Sequence, residues 1–298
     1  MLDLYNSTCQ ECSQLITRRY STSFSAGIKA FDPSIRAPIY AIYGFVRFAD
    51  EIVDTFHDFP QATLFYKFKE DTWHAIDEGI SLNPVLNAFQ EVVNAYNIEK
   101  TLITAFLDSM EMDLSRQSYD ADGYDQYIYG SAEVVGLMCL YVFCNGDTNQ
   151  YARLKEPARR LGAAFQKINF LRDLKSDFED RGRVYFPGVD FLQFTAADKL
   201  KIEQDILTDF QVCRKVHHII FSKVDPVGRI QADQIIVIRG LFAEVIKKLL
   251  KHIRHPVPAR AHVKFESIGF KLPGSASRGG ILFKNGHSTA FLRQATSG

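Results

Sequence analysis

The sequence predicts an all-α protein, on three observations. Apolar residues recur at three- and four-residue spacing through most of the chain. No alternating run long enough to build a sheet occurs before residue 200. The breaks between periodic stretches carry helix caps and stops rather than hairpin turns.

Taken in order, the helical stretches are Leu4–Ala30, Ile35–Thr55, Gln61–Ile80, Pro84–Tyr96 and Glu99–Leu114. Then follow Tyr124–Cys144, Tyr151–Phe178, Ala196–Ser222 and Ile230–Ile253. Asp32-Pro33 and Asn83-Pro84 each set a capping side chain before a proline at the first helical position. Asn145-Gly146-Asp147 is a turn signal, and Gly182 and Pro187-Gly188 close the long helix before them. Short loops between long helices argue for one helical domain, placed at residues 1–268. Residues 269–298 hold six of the 18 glycines and no acid, so they read as an irregular basic tail.

Charge and composition exclude several classes. The 35 basic and 35 acidic side chains cancel, so nucleic acid is not an expected partner. From Val245 onward there are ten Lys/Arg and one acid, Glu266, a distribution that suits an anionic surface. The start, Met1-Leu2-Asp3-Leu4, lacks the basic and apolar regions of a targeting peptide. The longest near-apolar run, Val134–Cys144, is well short of the roughly 20 residues that span a bilayer. The expected location is the cytoplasm, with peripheral membrane contact left open; nothing in the pattern specifies an oligomer. Five cysteines, an odd number, fit a reducing compartment, and Cys9-x-x-Cys12 reads as helix packing rather than a metal or redox pair.

Two helices carry chemistry. In Tyr40–Asp54, Tyr43, Arg47, Asp50 and Asp54 fall on one stripe at 3.6 residues per turn, with Glu51 off it. Ile, Phe, Val and Ala fill the rest of that helix, which is therefore expected to be buried. Two carboxylates one turn apart repel by roughly 3 kcal/mol at an effective dielectric of 20, which a divalent cation would offset. In Gly162–Asp177 the stripe is Gln166, Asn169, Asp173 and Asp177. A single Asp-x-x-x-Asp pair is most often a solvated helix face. Two such pairs in apolar helices, each extended by further polar residues, point to a metal site. All the donors are oxygen, which selects Mg²⁺ first and Mn²⁺ as the alternative.

Four blocks carry a resemblance: Tyr20–Ser25, Ala41–Asp54, Tyr129–Met138, and Gln166–Asp177 followed by Gly182–Pro187. In order, spacing and content they resemble the squalene/phytoene synthase family over roughly residues 5–225, and most of all its bacterial phytoene synthases. The resemblance implies an isoprenoid-synthase helical bundle with a central active-site cavity. It also implies head-to-head condensation of two geranylgeranyl diphosphates, through prephytoene diphosphate, to phytoene. By position, Asp50, Asp54, Asn169, Asp173 and Asp177 would hold the metal. Ser21, Arg47, Gln166, Arg172 and Arg183 would contact substrate, Arg172 from off the acidic stripe. Phe24, Tyr43, Tyr127 and Phe165 would line a carbocation with π faces, Tyr127 nearest the reacting carbons. Gly130, Ala132 and Gly136 either leave room for a prenyl chain or pack helices closely.

After residue 225 the family's tyrosine-rich helix and basic C-terminal segment have no convincing counterpart; Arg239, Arg254 and Arg260 are the candidates to replace the missing basic contacts. Three alternatives stay open: a squalene or dehydrosqualene synthase using farnesyl diphosphate, a terpene cyclase or head-to-tail prenyltransferase, and an inactive isoprenoid-binding homologue. The Asn-x-x-x-Asp-x-x-x-Asp run opposes the second. No dinucleotide fingerprint is present, and NADPH is not expected.

Overall fold

A computed structural model describes residues 1–115, 120–179, 185–189 and 195–212, all within one contact unit, Met1–Arg254. The described residues contain helices and no strand. They form α1 (Leu2–Tyr20), α2 (Thr22–Lys29), α3 (Pro33–Thr55), α4 (Gln61–Glu78) and α5 (Pro84–Tyr96). Next come α6 (Lys100–Asp113), α7 (Ala121–Ile128), a π-turn (Tyr129–Glu133), α8 (Val134–Cys144), α9 (Thr148–Glu179) and α10 (Ala196–Val212). The expected helix over Ile230–Ile253, the tail 269–298 and residues 213–222 of the expected last helix before it lie outside the described residues.

The capping chemistry sets the boundaries. Asp32 accepts from the Ser34 N–H ahead of Pro33, and Asn83 accepts from Val85 and Leu86 ahead of Pro84. Gly79, Asn97 and Asn145 end α4, α5 and α8 with left-handed backbone. One expected helix is divided. Leu4–Ala30 breaks at Ser21, which is extended (φ −144°, ψ 110°) and serves as C-cap of α1 and N-cap of α2. Periodicity continues across the break because one extended residue barely changes which side chains face the core.

Helix α3 is the central element, touching α1, α4, α5, α6 and α8. Phe45 is wholly buried on it and stacks on Phe89 of α5 with ring centroids 3.8 Å apart. Phe106 of α6 and Phe68 of α4 lie 5.3 and 5.7 Å from the same ring. A second core gathers Tyr124, Tyr127, Phe170, Tyr185, Phe186, Ile202 and Ile206 where α7, α9 and α10 meet. Cys9 is a buried free thiol in the α1–α3–α5 packing, as a helix-packing role requires.

α7, the π-turn and α8 run on as one helix, Ala121–Cys144, of 24 residues. That corrects the expected shorter run: by length and composition this helix could cross a bilayer. Its most apolar window is 61% buried, and Leu137, Met138 and Leu140 sit in the main core. The π-turn falls where the chain is pressed hardest. A Cβ on Gly130 would stand 2.4 Å from the Ala105 carbonyl oxygen and 2.6 Å from Ser109 Cβ, both on α6. Gly130 is thus a helix-packing glycine, whereas Gly136 has only ordinary contact, with Ala158 O at 3.4 Å.

Candidate active site

The α1–α2 break places Ser21 beside α3. Its hydroxyl oxygen accepts from the Phe24 N–H at 3.2 Å and also bonds the Tyr43 side chain. Phe24 is exposed, and its ring packs on Tyr43 with centroids 5.2 Å apart. Burial raises the Tyr43 pKa, while Arg47 and Ser21 pull it back. The structure therefore brings Ser21, Phe24, Tyr43, Arg47 and Asp50 together where three helices meet.

On α3 most apolar positions are buried, Phe48 being exposed, and the acidic stripe is half-buried, so the helix is sunk on one side and open on the other. Arg47 forks between two carboxylates, with Nη1 donating to Asp50 and Nη2 to Glu51. Burial works against the guanidinium charge, but the Asp50 and Glu51 carboxylates outweigh it, and the Arg47 pKa rises. Tyr20 contributes the floor, its ring 4.5 Å below the guanidinium carbon and its hydroxyl bonded to Glu51. Glu51 lies off the stripe by helical phase, yet the long Arg47 side chain reaches it one turn away. Glu51 and Tyr20 are the residues that stripe counting misses; the i,i+4 Arg–Glu spacing is the sequence signal for the first.

Helix α9 carries the other stripe. Gln166 and Asn169 are half-buried, and Phe165 is partly exposed and edge-on to Phe210 of α10. The backbone of α9 continues through Asp173 and Asp177, but the side chains at 172–179, including those of Arg172, Asp173 and Asp177, lie outside what is described, as does Arg183. Between these site residues, Lys167 turns the opposite way. It is buried and bonds Asp209 of α10 at 2.7 Å and Asp205 at 2.5 Å, and Arg160 joins Asp209 at 3.2 Å. This network fixes the rotation of α9 about its axis, and so where its polar stripe points. α8 packs against both α3 and α9 and spaces the two acidic helices.

Tyr127 is buried in the second core. Its hydroxyl donates to Asp113 Oδ2 at 2.8 Å, and its ring lies 5.4 Å from Tyr185 and 6.0 Å from Phe170. Phe170 and Tyr185 themselves stack at 4.0 Å. Asp113 was not legible as a site residue; its buried carboxylate shows only in three dimensions. Beside them, Glu133 of the π-turn is buried and bonded by Arg159 of α9 at 2.6 Å.

The fit to a hard divalent cation rests on donor chemistry. Asp50, Asp54, Gln166 and Asn169 are all oxygen donors on half-buried faces. Among the described residues, which leave out the Asp173 and Asp177 side chains, no three His, Cys, Asp or Glu side chains cluster. The Arg47 Nε–H is buried and without a partner among the described residues, a donor fitted to an anion. A cavity of about 250 Å³ bounded by Gln10, Pro38, Ala41, Ala88 and Glu91 contains none of the expected site residues.

The squalene/phytoene synthase profile matches residues 17–210, which enclose every expected site residue. The chain belongs to the squalene/phytoene synthase family. It is 32% identical to a phytoene synthase of Arthrospira platensis over 69% of this chain and 73% of that one. It is 26% identical to a 4,4'-diapophytoene synthase of Staphylococcus haemolyticus over 67% of this chain and 69% of that one. The fold matches a squalene synthase from Alicyclobacillus acidocaldarius with TM-score 0.66 at 19% identity, over 85% of this chain and 97% of that one. Membership makes the protein a transferase, a prenyltransferase of the phytoene/squalene type that condenses prenyl units head to head. The family uses divalent metal ions to ionise diphosphate esters.

Proposed function

We propose that the protein condenses two geranylgeranyl diphosphates, through prephytoene diphosphate, to phytoene. The observation that carries the reading is the half-buried Arg47 fork beside Asp50, Ser21 and Tyr43, with its buried Nε–H offered to an anion. The 32% identity to a phytoene synthase supports the choice of substrate. Asp50, Asp54, Asn169, Asp173 and Asp177 would hold Mg²⁺, or Mn²⁺ in its place. When bound, the cation supplies positive charge to the departing diphosphate without a proton transfer.

The chain's own residues do the rest. Arg47, Arg172, Arg183, Gln166 and Ser21 orient the diphosphate by hydrogen bonds and add to its neutralisation. The C1–O bond breaks with its electron pair leaving on diphosphate, and the second substrate's double bond attacks the allylic cation. Proton loss closes the cyclopropane; a second ionisation, rearrangement and proton loss give the triene. Phe24, Tyr43, Tyr127 and Phe165 present π faces to the cations and exclude water. Asp113 fixes the Tyr127 phenol. One catalytic domain through residue 268, a cytoplasmic location and peripheral bilayer contact for the apolar product complete the proposal.

The test is product analysis with the full chain, Mg²⁺ and either the twenty-carbon or the fifteen-carbon diphosphate, with and without NADPH. Phytoene from the twenty-carbon substrate is expected without NADPH. Product from the fifteen-carbon substrate alone would overturn the substrate assignment, and no pyrophosphate release from either would overturn catalysis.

A further inference from the structure

Arg47 and the metal site compete for one carboxylate. Asp50 is the partner of Arg47 Nη1, and under the reading above it is also a metal ligand. A divalent cation that takes Asp50 would leave a half-buried guanidinium without that partner, free to swing away from the diphosphate. The structure holds a second anchor on the same group. Glu51 binds Nη2, the Tyr20 ring underlies the guanidinium at 4.5 Å, and the Tyr20 hydroxyl bonds Glu51. Glu51 comes from α3 and Tyr20 from the last residue of α1, so the clamp spans two helices.

We propose that Glu51 is a positioning residue, which with Tyr20 holds Arg47 while Asp50 turns to the cation, leaving the Nη1 and Nε donors of the guanidinium for diphosphate. This rests on the metal and diphosphate reading above. Its charge accounting is specific. Glu51 balances Arg47, so the negative charge of Asp50 is left for the cation. Glu51 itself touches neither cation nor diphosphate; it acts through Arg47.

The sign of one measurement separates this from simple electrostatics. Removing a negative charge beside an anion site should tighten anion binding. Removing an anchor that aims Arg47 should weaken it. The probe is inorganic pyrophosphate titrated calorimetrically into Mn²⁺-loaded protein, for the wild type, Glu51→Gln, Arg47→Met and the double variant. Glu51→Gln is expected to weaken pyrophosphate about tenfold, the value of one charge-assisted hydrogen bond. In the Arg47→Met background the same change should weaken nothing. Tyr20→Leu removes the floor and the hydroxyl at a half-exposed position with no change of charge, and should weaken binding in the same direction. Unchanged or tighter binding by both Glu51→Gln and Tyr20→Leu would overturn the clamp and leave the diphosphate site standing. Equal weakening by Glu51→Gln with and without Arg47 would also overturn it. Failure of the wild type to bind pyrophosphate would overturn the diphosphate reading itself, and the clamp with it.

Discussion

Replacing Gly130 by alanine tests how the π-turn is held against α6. The added Cβ would sit 2.4 Å from Ala105 O and 2.6 Å from Ser109 Cβ. An ordinary carbon–oxygen contact is about 3.3 Å at its closest, so the two backbones must part by roughly 0.9 Å. Neither can rotate out of the way, because one contact is a helix carbonyl and the other a Cβ fixed to α6. Overpacking of this kind costs about 3 kcal/mol, the upper end of its range. For a chain of this size that lowers Tm by about 5 °C. Gly136→Ala is the internal control. Its nearest neighbour, Ala158 O, is at 3.4 Å, and the gain in helix propensity should raise stability by up to about 1 kcal/mol. Both variants are followed by far-UV circular dichroism during thermal and urea melts. A Gly130→Ala protein that melts with the wild type, or a Gly136→Ala protein that loses as much, would refute the packing assignment.

Asp209→Ala leaves Lys167 buried with only the exposed Asp205 and should cost about 3 kcal/mol in denaturant melts. Burial works against the Lys167 charge, but its two carboxylates outweigh it and raise its pKa above the ordinary 10.5. Its stabilisation is therefore whole below 10.5 and lost as pH rises through the folded value, so the gap to Lys167→Met should be flat and then narrow in alkali. Burial also raises the Glu133 pKa against the pull of Arg159. Arg159→Leu should raise it further, so that variant should lose stability as pH climbs above 4.5, and Glu133→Gln in the same chain should recover it. Ser21→Ala removes the α2 N-cap and should cost about 1 kcal/mol, read from a lower urea midpoint.

Most of the helical architecture could be read from residue order because its determinants are local. Pro33 and Pro84 fix starts, Asn145 fixes the end of α8, and apolar spacing fixes the buried faces. The α1–α2 break escaped because Ser21 interrupts the backbone without interrupting the apolar pattern. The π-turn escaped because its determinant, the α6 backbone against Gly130, lies about 25 residues away in sequence. The Tyr43–Arg47–Asp50–Asp54 stripe was legible from helical phase alone. The partners Tyr20, Glu51 and Asp113 were not, since a side chain's reach and a tertiary neighbour are absent from a period count. Lys167 sits within the block richest in expected ligands, yet its polar end serves α10; residue type alone could not separate it from Gln166 and Asn169.

The 24-residue helix Ala121–Cys144 has a consequence for how the protein is made. During synthesis it emerges before α9, whose last residue follows roughly 35 positions later, an interval on the order of seconds. In that interval the nascent chain offers a segment that an insertion machinery could read as a membrane anchor. Of the helices already made, α3 and α6 are those that pack most against α8. Early docking of α8 on those two helices would therefore decide between a folded enzyme and a mistargeted or aggregated one, and substitutions that slow this docking should lower yield more than they lower equilibrium stability.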